Sequence, residues 1–140
     1  MGLVCPYDLG GPGGVQAQTL GLAARLVERG HVVSVLAPGR PSADARGALP
    51  EAALRSCGPG VAVPANGSVA RLALGPAVPR RTASWLSDVA PDVLHVHEPG
   101  TPGLASVAVR LARRRGVPVV ATFHAARPAS GADRVLGATL

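Results

Sequence analysis

Apolar residues along this chain come in short unbroken runs, separated by longer stretches where they recur every third or fourth position. The runs at 2–5, 31–37, 93–97 and 117–122 predict strands of the nearly continuous apolar kind found in parallel sheets. The stretch 15–28 carries Leu20, Ala23, Ala24 and Val27 at helical spacing, with Arg25, Glu28 and Arg29 on the polar side. Gly30 follows where a helix C-cap belongs. Residues 76–89 and 101–115 read as further helices; the second ends in Arg113, Arg114 and Arg115, cations that suit the negative end of a helix dipole, and Gly116 stops it. Residues 61–64 form a short strand, and 68–74 alternate as a strand or an extended loop. Residues 38–60 hold several Pro and Gly and a weak helical patch at 51–55, and read as a surface excursion. Residues 125–140 carry no strong pattern.

Strand alternating with helix predicts an α/β protein: a Rossmann-like parallel sheet with helices on both faces. Such sheets bind ligands outside the carboxyl ends of their strands. Three chemistry-bearing features fall there: Gly13-Gly14, His97-Glu98 and His124. The chain is organised around Pro12-Gly13-Gly14-Val15-Gln16, a glycine turn between the first strand and the first helix. Glycines without a Cβ let a backbone approach a ligand closely, and the helix behind them aims its free N–H groups and positive dipole end at that turn. A tight connection with no ligand stays open on the turn alone.

Composition narrows the picture. At 140 residues the chain is one domain's worth, and with aromatics at 2% the core is built of Val, Leu and Ala. All 14 basic residues are arginine, five of them against four acids in residues 1–70 and nine against four in residues 71–140. A basic second half points to an anionic partner, a phosphate or an acidic lipid head group. Nucleic acid is disfavoured, because no known motif occurs and few aromatics exist to stack on bases. Cys5 lies in a predicted buried strand as a structural thiol, and its spacing from Cys57 fits neither zinc nor redox chemistry. His95 and His97 share one strand face, yet a metal would need more ligands nearby, so no metal site is expected. No secretory leader and no apolar stretch of membrane-spanning length is visible, and the chain reads as cytoplasmic.

Several segments occur in a recognisable order: Cys5-Pro6-Tyr7, Pro12-Gly13-Gly14-Val15-Gln16, Gly30-His31-x-Val33-Ser34-Val35-Leu36-Ala37-Pro38, Asn66-Gly67-Ser68-Val69-Ala70-Arg71-Leu72, Asp92-Val93-Leu94-His95-Val96-His97-Glu98-Pro99 and Ala121-Thr122-Phe123-His124. Over residues 2–124 the chain resembles the amino-terminal half of GT-B glycosyltransferases of family GT4, and more narrowly the phosphatidylinositol mannosyltransferase group of actinobacteria. The stretch 66–72 is the most specific part. The resemblance implies two Rossmann-like domains around a cleft. Residues 1–124 would be the amino-terminal acceptor domain, and 125–140 the truncated start of the interdomain region. It implies a retaining transfer of mannose from GDP-mannose, a donor substrate rather than a cofactor, to phosphatidylinositol.

By the same resemblance Gly13 and Gly14 face the donor diphosphate. Tyr7, Gln16, Asn66, Ser68 and Arg71 serve the acceptor, with Arg71 at the lipid phosphate. His124 is the active-site histidine beside the transferred sugar, while His97 and Glu98 shape the cleft wall. Arg80 and Arg81, with Trp85 one turn on, occupy part of a basic cluster through which the relatives dock peripherally on acidic membrane at the inner face of the plasma membrane. Departures are Gly10 where relatives usually carry Asp, and Ala65 in place of an aromatic. The alternatives are a GT4 enzyme with another acceptor and a non-catalytic Rossmann-like module for an anion.

Overall fold

The computed structural model describes residues 1–65 and 68–124. Strand β1 (Gly2–Val4) leads through a loop into helix α1 (Gly14–Glu28), followed by β2 (Ser34–Ala37), the short helix α2 (Ala43–Ala48), a 3-10 turn (Glu51–Ala53) and β3 (Leu54–Ser56). Next come β4 (Val61–Ala65) and β5 (Ser68–Leu72), then α3 (Ala77–Val89), β6 (Leu94–His97), α4 (Leu104–Arg114) and β7 (Val119–Thr122). Five strands form a parallel sheet in the order β3-β2-β1-β6-β7. β1 is central, with Leu3 in register with Val35 on one side and His95 on the other.

Successive strand residues face opposite sides of a sheet, and the core divides accordingly. Leu3, Val35, Ala37 and Leu54 pack in one cluster with Ala23 of α1 and Ala45 of α2. Val4, Leu36, Leu94 and Val96 pack in another with Trp85 and Leu86 of α3 and Leu104, Ala108 and Ala112 of α4. This is the expected Rossmann-like arrangement with helices on both faces. Trp85 is the one large aromatic of the second layer; its indole Nε1 donates to Ser34 Oγ at 2.9 Å, so its buried polar edge is satisfied. Gly2 makes room for it, because a Cβ there would come within 2.8 Å of the indole ring.

Four sequence expectations change. The excursion at 38–60 contains β3, which adds a strand to the sheet beside β2. It is three residues long with only Leu54 buried, so no apolar run announces it. Residues 61–74 do not extend the parallel sheet; β4 and β5 pair antiparallel as a separate ribbon, Val61 opposite Leu72 and Ala65 opposite Ser68. The second strand begins at Ser34 rather than 31, and Val32 is 87% exposed. The last helix begins at Leu104, behind Pro102 and Gly103. Gly103 has φ 87°, and a Cβ on it would strike the carbonyl oxygen of Ala73.

Candidate functional site

From β1 the chain builds β2 and β3 on one side and, later, β6 and β7 on the other. The carboxyl ends of β1 and β6 therefore flank a topological switch point, where loops diverge and leave a crevice. The loop after β1 lies on one side of it and the segment after His97 on the other.

The loop after β1 is pinned by backbone hydrogen bonds from both directions: Cys5 N–H donates to Leu36, Leu9 N–H to Pro38, and Asp8 N–H to Arg71 of β5. Asp8 had no role in the sequence reading, yet it is the hub here. Its Oδ1 accepts the Gly10 N–H at 2.7 Å, and its carboxylate lies where side chains on Gly39 and Gly60 would otherwise sit. Two glycines flanking β3, 21 residues apart, were the only trace of this in the sequence.

Helix α1 starts without a side-chain cap and with no acidic residue in its first turn. Its first intrahelical bond runs from Ala17 N–H to Gly13 O at 2.9 Å, so the N–H groups ahead of it and the positive dipole end stay available to an anion. The two glycines are not equivalent. Gly13 is in extended conformation, and the space beside it is filled by the Gln16 carboxamide, whose Nε2 donates to Asp8 O at 3.3 Å. Gly14 meets nothing within 4 Å where a Cβ would stand. Neither lies in the left-handed region, so room, and not unusual backbone, is what the turn provides. A cleft of about 660 Å³ runs from Gly10 and Gly13 past Gln16 and Leu20 to Ser42 and Ala45.

The β4–β5 ribbon attaches to this edge through Tyr7, which bridges antiparallel to Leu72. Tyr7 is half-buried; Arg71 is exposed opposite Ala62, with no ion pair among the described residues. A second cleft of about 430 Å³, walled by Asp8, Arg40 and Ser56 with Gly39, Gly58 and Gly60, opens beside Arg71, next to Gly60. Ser68 joins the ladder through its backbone, and Asn66 lies outside the described residues.

At the other side of the crevice, β6 and β7 bring three histidines into one column. His95 and His97 stack with ring centroids 4.7 Å apart, and His97 and His124 at 5.0 Å. His97 is 1% exposed; its Nδ1 lies 2.7 Å from His124 Nε2, and His95 Nε2 lies 2.7 Å from Thr122 Oγ1. Glu98 turns the chain at φ 48°, an unusual conformation for a residue with a Cβ. Its backbone N–H donates to Thr122 O, and its carboxylate accepts the His124 N–H at 2.5 Å. Burial, then repulsion from His95 and His124, pushes the His97 imidazole down to about 4. Burial, then His124, also lowers His95. Among the described residues no cluster of three His, Cys, Asp or Glu side chains could hold a metal ion.

Arg81 Nη1 donates to Cys57 O at 3.1 Å and tethers α3 to the segment after β3. Trp85, one turn on, is buried in the core. Cys5 and Cys57 are both buried free thiols, pushed up by burial to about 11 and about 12, which keeps them unreactive. Among the described residues no helix is long and apolar enough to cross a membrane.

The chain is similar to proteins named phosphatidyl-myo-inositol mannosyltransferase: 48% identical over 124 residues to that of Mycobacterium tuberculosis H37Rv, 47% over 124 residues to that of Mycolicibacterium smegmatis, and 44% over 130 residues to that of Propionibacterium freudenreichii. These matches cover 89%, 89% and 91% of the chain, but the chain spans only 31%, 30% and 33% of the relatives' own length. The model of Glycosyltransferase Family 4 matches residues 12–138, from the glycine turn past the histidine column, and by that match the chain belongs to glycosyltransferase family 4.

Proposed function

We propose that this chain is the amino-terminal, acceptor-side domain of a retaining mannosyltransferase that moves mannose from GDP-mannose to the inositol ring of phosphatidylinositol. The observation that carries the reading is the uncapped start of α1 beside an open Gly14, at the switch point between β1 and β6. In it, the free N–H groups behind Gly13 and Gly14 take negative charge that develops on the departing diphosphate. Arg71, exposed on the ribbon that borders the second cleft, takes the lipid phosphate, and Tyr7, Gln16, Asn66 and Ser68 take the rest of the head group. His124 lies beside the transferred sugar. The second Rossmann-like domain supplies most donor contacts, and the protein works at the cytoplasmic face of an acidic membrane, where Arg80 and Arg81 add weak attraction.

The test is a chimera joining this chain to the remaining length of the Mycobacterium tuberculosis relative, assayed with labelled GDP-mannose and phosphatidylinositol vesicles. Mannosylated lipid is expected. Transfer to some other acceptor only would replace the acceptor assignment, and no transfer alongside intact folding would favour a binding module.

A further inference from the structure

We propose that His97 is a positioning residue: it donates its Nδ1–H to His124 Nε2 and so fixes His124 as the Nδ1–H tautomer, with that N–H as the donor turned to the reacting sugar. The proposal rests on the assignment of His124 to the sugar and says how that side chain is held. Two imidazoles 2.7 Å apart nitrogen to nitrogen hold a single proton between them, one ring donating and the other accepting. The other ring nitrogen of His97 decides whose proton it is. His97 Nε2 is buried with no hydrogen-bond partner among the described residues. An N–H left unpaired in a buried site is more costly than a bare acceptor nitrogen. The His97 proton therefore sits on Nδ1, His124 Nε2 must accept it, and the His124 proton is confined to Nδ1.

The surroundings keep His97 in that neutral form. Among the described residues the titratable groups that face it are His95 from its own strand and His124 from the end of β7, and the nearby Glu98 carboxylate is engaged by the His124 backbone N–H. A proton added to His97 would have no counterion within hydrogen-bond reach among the described residues, and burial with the two flanking rings holds its titration well below neutrality. His97 thus orients without itself exchanging protons at working pH. Stacking against His95, whose Nε2 is locked on Thr122, fixes the ring plane of the whole column.

The tautomer is read by long-range proton–nitrogen NMR of the imidazoles in this chain, and the consequence by kinetics in the chimera. His124 should show one tautomer, protonated at Nδ1. His97→Phe keeps the stack and removes the hydrogen bond, and it should release His124 to a mixture of tautomers. The same change should lower kcat roughly tenfold with KM for the lipid little changed. His97→Asn, whose amide can donate near the Nδ1 position, should restore much of kcat, which a purely packing role would not predict. A single unchanged His124 tautomer in His97→Phe, or His97 found protonated at Nε2, overturns the proposal. So does an unchanged kcat in a chimera that transfers mannose. A parent chimera with no transfer overturns the reaction assignment itself, while the NMR still decides the His97–His124 coupling.

Discussion

A β-carbon on Gly14 would meet no other described segment within 4 Å, so the packing of the described residues does not require its absence. Gly14→Val should leave the thermal midpoint of the chain almost unchanged, as calorimetry would record. In the chimera it should cut transfer on the order of a hundredfold or more, because the side chain enters the space through which the diphosphate reaches the helix N–H groups. Arg71 is the complementary case. Arg71→Ala should raise KM for the phospholipid by about tenfold to a hundredfold, the loss of one charge-assisted phosphate contact, and leave GDP binding intact by titration calorimetry. Equal acceptor kinetics would remove Arg71 from the site. The pH behaviour of the chain follows from His97. Its folded-state value of about 4 lies below the ordinary 6.5, so between these the unfolded chain binds the extra proton and stability falls with falling pH. The loss begins near pH 6.5 and levels off below pH 4, and His95, also lowered, adds in the same direction. Urea midpoints measured across that window should slope less steeply in His97→Phe.

At the scale of elements, the apolar runs located β1, β2, β6 and β7 and the three long helices, because a buried strand or an amphipathic helix writes its period into its own residues. β3 escaped because an edge strand of three residues with one buried side chain has too little period to read. The β4–β5 ribbon carries a local signal in the sequence: Asn66-Gly67 between alternating residues is a strong mark of a two-residue hairpin connection. The junction between this ribbon and α4 is tested at Gly103. Gly103→Ala would combine φ 87° with a collision against the Ala73 carbonyl, and should destabilise the chain by more than about 1 kcal/mol. Gly116→Ala, with φ 69° but open space, should cost less in the same denaturation series.

For the molecule as a whole, the half-enzyme reading makes a direct demand. Purified residues 1–140 should give no mannosyl transfer from GDP-mannose to phosphatidylinositol, since this domain offers backbone N–H groups and one histidine to the reaction but not the donor's principal contacts. Turnover by the chain alone would refute the division of labour proposed here. Val120 on the outer strand β7 and Phe123 just past it are about half exposed, at 48% and 49%.

The sequence by itself determined the layers and the direction of the sheet, and it placed Gly13, Gly14, His97, Glu98 and His124 at strand ends, because strand and helix periods and the turns between them are local properties. Only the tertiary structure decided which strand lies beside which. With β1 between β2 and β6, the glycine turn and the histidines come from neighbouring strand ends. With β6 beside β7, His97 meets His124, 27 positions further along the chain. It also separated the two glycines by occupancy, one filled by Gln16 and one open, and turned Asp8 from an unremarked loop residue into the hub of three loops. Spacing along a chain fixes the face a side chain takes. The neighbour it meets there depends on pairings between distant segments, and these are settled by the packing of the whole.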